Sequence, residues 1–289
     1  MALSGPAASV GLGLAAATTW GGSDFAGGVG ARRSPAFLVA VSGHLVTLIV
    51  LLGVCFFIRR PFPHSLEFGY AAAAGFEGAL SLAAFYRALA MGAMGLTAAF
   101  TGLLTALVPV LFSLWSEGMP GALAVTGLLL GCIAIWMIAH TPASEGTGHR
   151  TPPIALLLGA LAGLGFGLQL VLLKLASSGG LLWTLTIARG GGVAGLVLVL
   201  LITTARRGLP SGWSGFWGIG ILAGVLDTAG NLGYTMAAHN GRLDVAAMEA
   251  SLYPGVTILL AALLLHERPS RRQIAGMGVA LASVVLLSL

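Results

Sequence analysis

Charged side chains are scarce in this sequence. Of its 289 residues only 8% are Asp, Glu, Lys or Arg, while 57% are hydrophobic, and the mean hydropathy is +0.97. A soluble domain carries about 25% charged residues. The composition therefore excludes an ordinary soluble protein and predicts a membrane protein.

Cysteine is also scarce, and the motifs of several enzyme classes are missing. Cys55 and Cys132 are the two cysteines, and both lie in apolar runs, which argues against a disulfide framework or a zinc site. The sequence contains no Gly-x-x-x-x-Gly-Lys-Ser/Thr phosphate loop and no His-Glu-x-x-His, which disfavours ATP-driven transport within this chain and zinc hydrolysis. No loop is long enough for a soluble catalytic domain. We therefore expect no enzymatic activity, no cofactor and no metal.

The net charge of +5 comes from Lys and Arg residues that stand in short clusters between the apolar runs. Such clusters are typical of membrane topology, so we expect membrane lipids and a small-molecule metabolite as partners, and no nucleic acid. The first 30 residues lack a basic segment, and Asp24 interrupts their apolar run. This start predicts a first span rather than a cleaved signal peptide.

The apolar runs predict ten membrane-spanning helices, because one span needs about 20 apolar residues. Their predicted bounds are 7–29, 35–58, 68–90, 94–116, 122–140, 153–176, 181–203, 214–238, 243–265 and 271–289. The longest polar stretch divides them into five and five. We therefore expect one five-helix repeat over 1–140, a linker over 141–152 and a second repeat over 153–289.

The two halves resemble each other. Tyr86 in the third span matches Tyr234 in the eighth, and a Glu follows the penultimate span of each half, as Glu117 and Glu267. An odd number of spans per half inverts the second half relative to the first. Inverted repeats of this kind build transporters with a site near the midplane. The predicted fold class is an all-α integral membrane protein with ten transmembrane helices in two inverted five-helix repeats.

Several short motifs carry a family resemblance. The 5+5 arrangement, the segment Trp20-Gly21-Gly22-Ser23-Asp24-Phe25, the two Glu-containing turns and Ser251-Leu252-Tyr253-Pro254 resemble the EamA-type drug/metabolite transporters. The resemblance covers nearly the whole chain. It implies ten helices and transport of a small metabolite, often coupled to protons or to the membrane potential, without specifying the substrate. One departure is that Pro109 does not match Pro254 in its distance from the following Glu, so only Pro254 fits the family position.

Five ionisable residues lie inside predicted spans: Asp24, Glu77, Arg189, Asp227 and Glu249. A charge in the bilayer is costly, so such residues usually face an internal cavity and mark a pathway. Four of the five are acids, which favours a cationic or zwitterionic substrate or proton exchange.

Glu77 and Asp227 are predicted to form the coupling or substrate-binding core. When Tyr86 is matched with Tyr234, Glu77 lies opposite Val225, two residues from Asp227, so both acids have similar depth. A buried carboxyl group can bind and release a proton near neutral pH. The alternative is that both acids only tie helices together.

Trp20 and Asp24 are four residues apart and share one helix face. An indole and a carboxylate together can hold an organic cation, although an interfacial Trp followed by a helix-end Asp is an equal alternative. Arg189 either pairs with an acid or binds a substrate carboxylate. Glu249 is either a cavity acid or the partner of Arg189.

Five polar residues could complete the cavity lining: Tyr86, Gln169, Asn231, Tyr234 and Tyr253. Their alternative role is an interhelical hydrogen bond. His44, alone in an apolar span, is interpreted as a hydrogen-bonded packing residue, with a proton relay as the alternative.

The sequence predicts a secondary transporter, and an exporter, of a small polar or amphipathic metabolite in the cell membrane. The alternatives are a polytopic enzyme acting on lipid or isoprenoid phosphates, or a purely structural membrane subunit. The chain is expected to be a monomer. The distribution of Lys and Arg places both termini outside, whereas the resemblance implies cytoplasmic termini, and this alternative stays open.

Overall fold

A computed structural model describes residues 6–59, 62–63, 65–91, 94–139, 152–207, 217–266 and 270–288. Within these ranges the chain is almost entirely α-helical and contains no strand. The helices are α1 Pro6–Ala31, α2 Ala36–Ile58, α3 Ser65–Met91, α4 Met94–Ser116, α5 Ala122–Ala139, α6 Pro153–Ala176, α7 Leu181–Arg207, α8 Trp217–Asn240, α9 Leu243–Ala250, α10 Tyr253–Leu264 and α11 Arg271–Ser288.

The predicted all-α membrane fold is confirmed, and the helix ends fall close to the predicted span ends. Five helical segments are by themselves long and apolar enough to cross a bilayer: 36–58, 66–91, 153–179, 181–205 and 243–264. Large apolar side chains such as Phe56, Phe57 and Trp115 are strongly exposed, as expected of a surface that contacts lipid. The predicted linker 141–152, apart from residue 152, lies outside the described residues, and so does Glu267.

The ninth span lies within its predicted bounds but is interrupted by a turn. The helix α9 ends at Ala250, and α10 begins at Tyr253 with Pro254 in its first turn. Proline has no N–H to donate to the carbonyl four residues earlier, and its ring clashes with that turn. Pro109 lies inside the continuous helix α4, so the two prolines differ in structure as the sequence spacing indicated.

Glycines allow the helices to cross closely. Gly43 of α2 lies directly against Gly224 of α8, and a side chain at Gly75 of α3 would collide with the carbonyl group of Ala188 in α7. Small residues at a crossing let two backbones approach within van der Waals contact. Close packing of this kind explains why an apolar chain is so rich in glycine.

The contacts between helices come in matching pairs. The packing of α1 on α8 matches that of α3 on α6, and the packing of α1 on α9 and α10 matches that of α4 on α6. The helices α5 and α11 pack mainly on each other. This arrangement leaves the other spans to surround the centre of the molecule.

Candidate functional site

A small cavity lies at the centre of the helix bundle. It is lined by residues of the first, third, fourth, sixth, eighth and ninth spans: Trp20, Asp24, Leu82, Thr105, Phe166, Gln169, Leu170, Asp227, Asn231 and Tyr253. A volume of about 30 Å³ is open to the centres of water-sized molecules. A cavity needs about 10–15 Å³ on this measure to hold one water, so in this conformation the site has room for about two or three waters.

Asp24 and Trp20 reach the cavity from α1. They lie on one face of the helix, as their four-residue spacing predicts, and Asp24 is only 6% exposed. The indole of Trp20 packs on the ring of Tyr234, with ring centroids 5.8 Å apart. Gly230 of α8 makes room for the indole, since a side chain there would collide with it.

Arg189 of α7 forms an ion pair with Asp227 of α8, with 2.6 Å between Nη1 and Oδ2. The same nitrogen lies 3.2 Å from Nε2 of His44 on α2. Nδ1 of His44 lies 3.1 Å from the carbonyl oxygen of Ala40. If Nδ1 carries the proton and donates to that carbonyl, Nε2 is free to accept from Arg189. The three side chains thus form one buried polar group, here called the Arg189 triad.

A second, smaller cavity joins the Arg189 triad to the central one. Its lining includes His44 and Arg189, and it shares Gln169 and Asn231 with the central cavity. His44 was predicted to be a hydrogen-bonded packing residue, and its contact with Arg189 is a finding of the structure. The one signal in the sequence was that it is a polar residue in an apolar span.

The acids and bases around the cavity are unequal in number. Arg189 neutralises Asp227, and none of the ion pairs among the described residues involves Asp24. The central cavity therefore has one acid in excess of its bases.

The predicted polar lining residues have different surroundings. Asn231 lines the cavity, and its Nδ2 donates to the carbonyl oxygen of Asp227 at 2.8 Å. Tyr253 also lines the cavity. Tyr234 lies behind Trp20, and its hydroxyl donates to the carbonyl oxygen of Leu170 at 2.9 Å, so it supports the wall of the cavity.

Glu77 is not among the residues that line the cavity, and the structure does not bring it together with Asp227. Its Oε1 accepts from Ser81 at 2.6 Å, and its side chain lies against Gly165 of α6. The reason is the direction in which each side chain leaves its helix. Glu77 matches Val225, and two residues along a helix turn the side chain by about 200°, so the depth agreed but the face did not. Val225 is likewise outside the lining and is 49% exposed.

Glu249 is also outside the cavity lining and does not pair with Arg189. It lies in the last turn of α9, one turn before Tyr253, and is 0% exposed. Its carboxyl group contacts Gly13 of α1. The predicted site is therefore divided. The ion pair of Arg189 with Asp227 and the side chain of Asp24 lie at the centre, and Glu249 lies apart from them.

Four residues of the lining were not predicted as site residues from the sequence: Leu82, Thr105, Phe166 and Leu170. Phe166 has the best signal, since Phe166-Gly167 in the sixth span parallels Trp20-Gly21 in the first. Leu82, Leu170 and Thr105 carry no such signal, because a Leu or a Thr in an apolar span is ordinary.

A charge cluster closes the bundle at the membrane face where α1 begins. It consists of Glu117, Lys174, Arg242 and Asp244, which come from the ends of α4 and α6 and the start of α9. Oε2 of Glu117 accepts from the backbone N–H of Leu243 at 3.1 Å. These contacts join the first half of the chain to the second on this face.

Comparison with known proteins agrees with this architecture. Residues 153–289 match the sequence profile of the EamA-like transporter family. A crystal structure titled only as that of a protein aligns with a TM-score of 0.70 at 17% identity, over 96% of both chains; this likeness concerns the fold. None of the curated protein sequences matches the chain.

Proposed function

We propose that this chain, whose residues 153–289 match the model of the EamA-like transporter family, is a multi-pass membrane transporter of the drug/metabolite type that carries a small organic cation or zwitterion. The observation that carries this proposal is the excess carboxyl group of Asp24 beside the indole of Trp20 in the central cavity.

The chemistry of the lining favours a positive group. A cation gains from the face of an indole and from a carboxylate at the same time. An anion would instead meet Asp24 with no free base, because Arg189 is already paired with Asp227. A zwitterion could place its cationic end at Asp24 and its anionic end near the amide groups of Gln169 and Asn231.

Transport requires the cavity to open in turn to each face of the membrane. The charge cluster holds one face shut in this conformation, and breaking its contacts is one half of the proposed cycle. We place the protein in the cell membrane and propose export of the substrate, driven by a proton gradient or the membrane potential. The acids around the cavity lie inside the membrane, which gives no support to an enzyme acting on lipid phosphates.

Counterflow in proteoliposomes tests the proposal. We expect exchange of a radiolabelled cation or zwitterion, such as tetramethylammonium or glycine betaine, and none of acetate, without ATP. Asp24→Asn keeps the shape but removes the charge, and should weaken binding at least about tenfold, which corresponds to 1.4 kcal/mol.

Glu77→Gln is the matched control, because it removes the carboxyl group of an acid that also lies in a membrane-spanning helix but is outside the cavity lining. It should exchange the same substrate at the wild-type rate. Preference for acetate, or wild-type binding in Asp24→Asn, would refute the proposed substrate class.

A further inference from the structure

Glu249 is a fully buried acid that does not line the central cavity. Its side chain is 0% exposed, and neither carboxyl oxygen has a hydrogen-bond partner among the described residues. The carboxyl group fills the space that Gly13 leaves on α1, where any side chain would collide with it. A buried polar group without a partner is costly and calls for an explanation.

The surroundings of Glu249 oppose a negative charge. It stands in the last turn of α9, inside the helix bundle. None of the ion pairs in the described part of the chain includes it. An isolated ionised carboxylate in such a place would cost far more than a neutral carboxylic acid, so the conformation seen here fits the protonated form.

The helices packed on α9 bring few titratable groups toward it. The helix α4 carries none between Met94 and Ser116, and Cys132 of α5 is exposed. On α8, the hydroxyl of Tyr234 is engaged with Leu170. The remaining groups of the neighbouring elements belong to the central cavity, to the charge cluster or to the exposed end of α8: Asp24, Asp227, Glu117, Lys174, Asp244 and His239.

In the first half of the chain, the position equivalent to Glu249 is occupied by a residue that is not an acid. Gly13 precedes Trp20 as Gly159 precedes Phe166, and Glu249 precedes Tyr253 as Thr101 precedes Thr105; all four later residues line the cavity. Thr101 fills the corresponding place, and its hydroxyl donates to the carbonyl oxygen of Gly159 at 3.0 Å. A protonated carboxyl group offers the same kind of O–H donor. Of the two side chains, only that of Glu249 can readily lose its proton.

The location of Glu249 connects the surface to the cavity. Asp244 of the charge cluster lies five residues earlier on the same helix, a rise of about 7.5 Å. Tyr253 of the cavity lies just beyond the break between α9 and α10. Opening of the charge cluster would admit water to Glu249 before it reaches the cavity.

We propose that Glu249 is a proton-binding site of this protein, separate from the substrate cavity. It holds a proton in the closed conformation and releases it to water when the charge cluster opens. The proposal rests on the proposed transport function for its role in coupling, whereas the protonation itself can be measured without any substrate.

Infrared difference spectroscopy of the purified protein in lipid at neutral pH tests the protonation. The spectrum of wild type minus Glu249→Gln should contain the C=O stretching band of a carboxylic acid. Asp244→Asn is the matched control, because Asp244 is equally buried in α9 but paired with Arg242 at 2.9 Å. Its difference spectrum should contain carboxylate bands instead. Carboxylate bands for Glu249 would overturn the proposal.

Transport assays distinguish a role of Glu249 in proton coupling from a role in substrate binding. With a substrate that shows counterflow in the wild type, Glu249→Gln should keep counterflow but lose accumulation driven by a pH gradient. Full gradient-driven accumulation by Glu249→Gln would overturn the coupling role. Absence of counterflow in the wild type would instead count against the proposed function, and the infrared result would still decide whether Glu249 binds a proton.

Discussion

The ion pair between Arg189 and Asp227 gives the sharpest energetic prediction. Both side chains are largely buried, with 5% of the Arg189 side-chain surface and 14% of the Asp227 side-chain surface exposed. Substituting Asp227→Asn removes the negative charge and leaves the guanidinium group beside a neutral amide. Removal of one partner from a buried ion pair costs about 3–5 kcal/mol, because the remaining charge is uncompensated.

The size of the effect can be expressed as a shift of the melting temperature. With an unfolding entropy of about 2.1 cal/mol/K per residue, a loss of 1 kcal/mol lowers the midpoint of a chain of this length by about 1.6 °C. The lower limit of 3 kcal/mol therefore predicts a decrease of about 5 °C for Asp227→Asn, and a similar decrease for Arg189→Gln. The double variant has no unpaired charge, so it should be more stable than either single variant.

Thermal unfolding of the four proteins in one detergent, followed by tryptophan fluorescence, measures this cycle. The reasoning requires a coupling between the two positions, that is, a double variant whose loss is smaller than the sum of the single losses. Two single variants that melt within 2 °C of the wild type, or losses that simply add, would show that the pair is not an isolated buried ion pair.

Two further predictions concern packing and binding. Gly75→Ala should destabilise the protein strongly, because its methyl group would collide with the carbonyl of Ala188; Gly69→Ala on the same helix has open space and should leave the melting temperature unchanged or raise it. Trp20→Leu should weaken binding of tetramethylammonium by about 2- to 30-fold, the range that a lost cation–π contact of 0.5–2 kcal/mol predicts. Equal stability of the two glycine variants, or unchanged affinity of Trp20→Leu in equilibrium binding, would contradict these expectations.

The spans were predictable because hydropathy is a local property. A run of about 20 apolar residues needs a helix to satisfy its backbone in lipid, whatever else the chain does. The ends of α4 at Met94 and Ser116 and of α6 at Pro153 and Ala176 coincide with the predicted ends. The same local reasoning identified Asp24 and Asp227 as interior charges, since an acid in an apolar run is visible in the sequence.

The grouping of those charges was decided by the tertiary structure. Glu77 and Asp227 have similar depth, but depth along a helix does not fix the direction of a side chain, and a difference of two residues turns it to the opposite face. The partner of Arg189 likewise depended on how α7 packs against α2 and α8. Glu249 lies apart from the cavity because α9 stops before Pro254 and is set against Gly13. The sequence by itself determined which residues are in the membrane, because that depends on near neighbours in the chain; only packing decided which of them meet, because that depends on rotation and contact between distant helices.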